Sequence, residues 1–203
     1  MDSIFDLSKQ QQDLDSKIVV ALERIAQAFK TLLWKEAIEY NLSPIQIQIL
    51  VHIYHHRHLQ CTVSQLAGEF IVSRATISEA AKSLLEKKLI VRTPSDTDRR
   101  ISILELTSDG EKLAGKLSHW ASIVQLEVIS TASCDKETVM LFLMNLIHSL
   151  QQAGLISTIR MCMTCKYFQR DADPGSDAPH YCHLINQPLL QNQLRMDCPE
   201  HKG

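Results

Sequence analysis

The sequence predicts a mainly α-helical protein with one small β-hairpin. Three observations predict it: apolar residues recur at spacings of three and four over long stretches, Ser or Thr stands where four helices would be capped, and two short apolar runs flank a polar turn. A chain of 203 residues holds one ordinary domain with an appendage, or two small domains. Its 45% hydrophobic and 22% charged residues give the balance of a globular protein that buries a real core.

The elements follow in order. Leu14, Ile18, Leu22, Ile25, Phe29 and Leu32 line one face of a long amphipathic helix ending near Asn41. Ser43-Pro44-Ile45-Gln46 is a capping box with proline at the first helical position, and it opens a helix to about His56. Thr62-Val63-Ser64-Gln65 repeats the box for a short helix through about Phe70, and Ser73 caps another from Arg74 to about Lys87. Leu89 to Thr93 and Ile101 to Leu106 read as strands around a polar turn. Two short helices joined by about three residues and followed by a hairpin give the order of a winged helix-turn-helix. Ser108 and Glu111 sit at capping-box spacing for a fifth helix striped by Leu113, Leu117, Trp120, Val124 and Val128. A sixth carries Val139, Phe142, Leu143, Leu146, Ile147 and Leu150.

These elements divide the chain into an N-terminal dimerisation helix over residues 1–41, a winged helix-turn-helix over 42–106, C-terminal dimerisation helices over 107–154 and a cysteine-rich extension over 155–203. A head of about 65 residues cannot cover the stripes of the first, fifth and sixth helices, so the sequence predicts a homodimer in which terminal helices of two chains cover one another. No run approaches the roughly 18 apolar residues of a membrane span, and residues 1–15 are polar and glutamine-rich, which places the protein in the cytoplasm with reduced thiols.

Net charge is −2, but from Phe70 to Arg100 seven basic residues face four acidic ones, Glu79, Glu86, Asp96 and Asp98. That local excess suits double-stranded DNA. The second helix of a helix-turn-helix enters the major groove with its first residues, here Ser73, Arg74, Ala75, Thr76 and Ser78, with Lys82 a turn further on. Small and hydroxylated side chains permit close approach, Arg74 suits guanine or phosphate, and Ala75 suits a thymine methyl. Arg99 and Arg100 stand at the hairpin turn, where a guanidinium enters a narrow minor groove, and Asp98 would orient one of them.

Asp98-Arg99-Arg100 together with Leu106-Thr107 and Gly110 resembles the wing signature of the MarR family of regulators, and the resemblance spans about residues 14–153. It implies that Arg100 is the minor-groove residue with Asp98 as its partner, that the terminal helices make a dimer, and that a small-molecule effector binds between dimerisation and DNA-binding parts. No residue pattern here identifies such an effector. A winged helix serving only protein contact is the alternative use of the fold. An enzyme is disfavoured, because the chain has no glycine-rich phosphate loop, no Gly-x-Ser-x-Gly elbow and no His-Glu-x-x-His.

Four cysteines cluster in the extension. Cys162 and Cys165 are separated by two residues, and Cys182 and Cys198 follow after sixteen and fifteen more. Four thiolates are a zinc set, with an iron–sulfur cluster as the alternative that would make the protein a redox sensor. Cys198 and His201 form a Cys-x-x-His unit and His183 adjoins Cys182, so a histidine could replace one thiolate. With few large apolar residues, the extension is expected to need the metal to fold. Cys61 and Cys134 read as small buried hydrophobes. His52, His55, His56 and His58 crowd one helix end, as ligands on one face or, more simply, as polar side chains near a turn.

Overall fold

The computed structural model describes residues 3–57, 59–95, 98–157 and 159–203, with the side chains of Lys9 and Cys134 outside that description. His58 of the histidine group, Asp96 and Thr97 of the wing turn and the Cys134 thiol therefore lie outside the described residues. In chain order the elements are α1 (Leu7–Gln12), α2 (Leu14–Glu39), α3 (Pro44–His55), α4 (Val63–Glu69), α5 (Arg74–Glu86), β1 (Ile90–Pro94), β2 (Ser102–Leu106), α6 (Ser108–Leu117), α7 (Ser122–Ile129), α8 (Ser133–Gln152), β3 (Phe168–Gln169), β4 (His180–Cys182) and β5 (Gln187–Leu189). They fall into two compact units, Met1–His56 with Ala80–Val91 and Glu105–Gln125, and Arg57–Glu79 with Arg92–Leu104 and Leu126–Gly203.

In the first unit α3 is the hub. It packs on both α2 and α6, and it brings Ile47, Ile49 and Leu50 to complete burial. At about 1.5–3 kcal/mol for each buried side chain, these three outweigh any helix propensity of the segment. Its start is set by both halves of the Ser43–Gln46 box. The stripe on α2 behaves differently: only Ser16, Leu33 and Ala37 are buried, while Leu14, Ile25, Trp34 and Ile38 remain exposed.

Three local expectations change. The fifth helix is broken into α6 and α7, because the Ser118 hydroxyl bonds back to the Ala114 carbonyl at 2.8 Å and the next residues tighten into i to i+3 bonds from His119 on, around Trp120, whose indole meets Phe29 edge-on. The cap of α6 is Thr107 and not Ser108; its hydroxyl accepts from Gly110 N at 3.0 Å and donates to the Lys88 carbonyl at 2.8 Å. The polar N-terminus holds an extra short helix, α1, begun by Asp6, which accepts from Ser8 N at 2.9 Å.

In the second unit α4, only seven residues long, is held by its Thr62–Gln65 box and by the buried Leu66, since so short a helix does not persist alone. The turn to α5 passes through Ile71 at φ 54, with Val72 N donating to Ala67 O at 3.1 Å. β1 and β2 form the two-stranded wing. The extension folds as an antiparallel sheet in the order β3-β4-β5, with Phe168 opposite Cys182 and Tyr181 opposite Pro188. Its Met161, Cys162, Leu189 and Leu194 share a core with Met144 of α8. Among the described residues no helix is long and apolar enough to cross a membrane.

Gly110 in α6 has no room for a side chain, because a Cβ would lie 1.9 Å from the Leu89 carbonyl oxygen. Gly110→Ala should therefore destabilise the protein by about 1–3 kcal/mol, read as a lowered urea midpoint; an unchanged midpoint would show that α6 moves freely away from Leu89.

Candidate nucleic-acid interface and cysteine cluster

Helix α5 has two unlike faces. Ile77, Ala80, Ala81 and Leu84 are buried, whereas Ser73, Arg74, Ala75, Thr76, Ser78 and Lys82 are all exposed. The 3.6-residue period produces this split from the sequence itself. Ser73 caps the helix by accepting from Thr76 N at 3.0 Å, and the two hydroxyls lie 2.8 Å apart. Their hydrogen-bonding capacity is thus partly committed to the helix start, while Arg74 projects freely outward from the first turn.

At the wing, Asp98 binds Arg100 as a fork. Nε donates to Oδ1 at 3.0 Å and Nη2 to Oδ2 at 2.9 Å, while the Arg100 backbone N–H also reaches Oδ1 at 3.0 Å. These bonds hold the Asp98 carboxyl below its usual pKa and the guanidinium above its own. The Arg100 side chain is still 91% exposed, so the aspartate orients the cation without covering it. Arg99 is exposed beside it.

In the extension a cavity of about 300 Å³ is lined by Cys162, Cys182, Cys198, Arg195 and Glu200 among others. Burial pushes the Cys162 thiol up, the Arg195 N–H at 3.2 Å pulls it down, and the fields of Cys198, Cys182 and Cys165 raise it again. The Cys162 thiol therefore lies within the fields of the other three. The Arg195 guanidinium lies 3.6 Å from the Cys198 sulfur. Donors aimed at sulfur suit thiolates, so the donor chemistry fits a bound cation; among the described residues, however, no three Cys, His, Asp or Glu side chains already stand grouped as a metal-holding set. The histidines weighed as ligands have protein partners: His201 Nε2 is 2.9 Å from Thr164 Oγ1, and His183 Nε2 is 2.9 Å from Gln169 Oε1. In the α3 group His52 and His56 stack at 4.1 Å, and His55 Nε2 meets Ser118 Oγ at 2.9 Å.

Sequence reasoning missed Arg160. Its guanidinium bonds Asp197 at 2.7 Å and Glu69 at 2.9 Å with the side chain only 17% exposed. Burial lowers its pKa, but the two carboxylates reverse this and hold it above the usual value. Only position hints at it: Arg160 precedes Cys162 by two residues and Asp197 immediately precedes Cys198.

A helix-turn-helix with a paired wing makes the fold a winged helix, and residues 40–101 match the model of the MarR family. The HTH-type transcriptional repressor MdtR of Bacillus subtilis is 29% identical over 113 residues, 53% of this chain and 72% of its own length. Among solved structures, MepR of Staphylococcus aureus in a DNA complex aligns at a TM-score of 0.57 with 22% identity, over 65% of this chain and 97% of that one. A putative MarR family transcriptional regulator from Listeria monocytogenes, complexed with a 26mer DNA, aligns at 0.58 with 19% identity, over 68% and 91%. The solved structures show the fold, a winged helix. The relatives are transcription regulators, which are not enzymes, and about a third of this chain lies outside each structural likeness.

Cys61 is buried, and burial pushes its thiol up to about 11 from 9.0, with the Arg160 charge lowering it and Glu69 raising it. A folded pKa above the unfolded one gives stability that is complete below about pH 9 and is lost as pH rises through about 11. Wild type should therefore lose stability relative to Cys61→Ala between about pH 8 and about pH 10.5 in denaturant titrations. Parallel curves for the two proteins would remove the linkage.

Proposed function

We propose that this chain is a dimeric MarR-family transcriptional regulator that binds double-stranded DNA in the cytoplasm, most simply as a repressor, and holds zinc on Cys162, Cys165, Cys182 and Cys198. The observation that carries the DNA reading is the pairing of an exposed polar face on α5 with a wing arginine oriented by Asp98 yet open to solvent. The DNA-bound MepR and Listeria structures support the same partner, and the printed role of MdtR supports repression. The dimer is supported by apolar residues left exposed in one chain: Trp34 and Ile38 on α2, Leu126 and Ile129 on α7, Phe142 on α8. An isolated protein of this size does not ordinarily leave so many uncovered.

Zinc is supported by three of the four cysteines lining one cavity and by backbone and guanidinium donors aimed at two of the sulfurs. Zinc would supply a positive charge that stabilises four thiolates and draws the β3-β4-β5 extension together. A cavity of about 300 Å³ exceeds what one ion fills, which favours an iron–sulfur cluster as the second reading.

Binding to a duplex selected from a random-sequence pool tests the DNA reading. Arg100→Ala should weaken it by about 1–3 kcal/mol, while Lys112→Ala, which removes the same charge from α6, should change little; light scattering of the same samples should give twice the 23.0 kDa chain mass. Equal losses from both variants, or salt-insensitive binding, would refute the wing assignment.

Elemental analysis tests the metal. About one zinc per chain is expected, lowered by serine at any of the four clustered cysteines and retained in Cys61→Ser and Cys134→Ser. Brown, oxygen-sensitive protein containing iron would replace zinc by the cluster, and loss of metal after His201→Ala but not Cys182→Ser would replace the four-cysteine set.

A further inference from the structure

The cysteine segments and the DNA-reading head are joined by one continuous set of hydrogen bonds. The segments carrying Cys162 and Cys198 are zipped by main-chain bonds: Cys198 N donates to Arg160 O at 2.8 Å, Cys162 N donates to Arg195 O at 3.0 Å, and Arg160 and Asp197 form a parallel bridge. From that zipper the Arg160 side chain reaches two carboxylates. Nε and Nη2 hold Asp197 at 2.7 and 3.4 Å, while Nη1 and Nη2 hold Glu69, the last residue of α4, at 2.9 and 3.2 Å. Nearby, Ser157 Oγ donates to the Gly68 carbonyl at 2.9 Å, and that oxygen also accepts from Ile71 N at 3.3 Å inside the turn between α4 and α5.

Ser157 and Arg160 thus grip the end of α4 where the chain turns into the reading helix. The grip is shielded, with Arg160 and Glu69 17% and 21% exposed. A forked pair in such a setting is worth more, and is more damaging to break on one side, than a surface ion pair.

Resting on the zinc reading above, we propose that the extension regulates DNA binding: zinc on the cysteines tightens operator binding, and Arg160 is the positioning residue that carries the effect through Glu69. Drawing the sulfurs of Cys162 and Cys198 together closes the two segments that present Arg160. With the clasp closed, α4 and the turn are already in place when DNA arrives. With the extension loosened, binding must order them first, and affinity falls by that ordering cost. Linkage then requires DNA to raise zinc affinity by the same factor.

The test uses full-length, reduced, metal-stripped protein, Zn²⁺ alone as the effector and a duplex selected from a random pool by the zinc-loaded wild type. Zinc should tighten wild-type binding by a factor within about 5–150, and a zinc titration with the duplex present should shift by the same factor. Glu69→Ala, which leaves every cysteine and Arg160 in place, should bind zinc at unchanged stoichiometry while most of that tightening disappears. Should Glu69→Ala lose helical ellipticity, Glu69→Gln, of similar volume and without the charge, is compared instead. Zinc bound without any change in wild-type DNA affinity overturns the regulation and leaves the zinc site standing. Undiminished tightening in the Glu69 variant, or a loss of DNA affinity equal with and without zinc, removes Arg160 as the route. Absence of zinc binding removes both readings.

Discussion

The wing depends on one close approach at its base. Thr107 N donates to the Leu89 carbonyl at 3.1 Å while its hydroxyl donates to Lys88 O at 2.8 Å, and Gly110 lets α6 rest against the same Leu89 carbonyl. The end of α5 and the start of α6 are tied together there, with the whole hairpin between them in sequence. A hairpin of two five-residue strands is marginal by itself. Fixing both of its feet removes most of the freedom that a free ribbon would have to lose on folding. Arg100 can stand exposed at the turn because the feet, and the Asp98 fork, already determine where it is.

The helix-turn-helix is held by its caps and by a few buried side chains. Helices α4 and α5 start at side-chain caps, Thr62 and Ser73, and each such cap contributes about 1 kcal/mol. Burial of Leu66, Ile77 and Leu84 contributes more. The solvent face of α5 carries Arg74, Ala75, Thr76, Ser78, Glu79 and Lys82, none of them part of the buried core. That face can therefore vary without competing with the core, which is why separable roles are open along a single helix.

The extension solves a different problem. Its strands are two or three residues long, too short to hold a sheet, so it borrows apolar surface from α8 through Met144. Borrowed burial gives it a place and pushes the Cys162 thiol toward its neutral form. The bonds around Arg160 connect the cysteine segments to α4.

Short-range order was legible in the sequence because its causes are short-range. Periodicity placed α2 to within a few residues and marked the apolar residues of α8, the caps at Ser43, Thr62 and Ser73 located three helix starts, and the alternation of faces on α5 put Ser73, Arg74, Ala75, Thr76, Ser78 and Lys82 in solvent. The same reasoning ran α6 and α7 together, because a stripe of apolar residues does not reveal that Ser118 will bond its own helix and that Trp120 will turn to meet Phe29. It missed the strands of the extension, where two- and three-residue runs carry no period. The partners of Arg160 were decided only by tertiary structure. Glu69 lies 91 residues away in the chain, and nothing in a charge's own neighbourhood distinguishes it from the other carboxylates until folding brings one of them within reach and shields the pair from water.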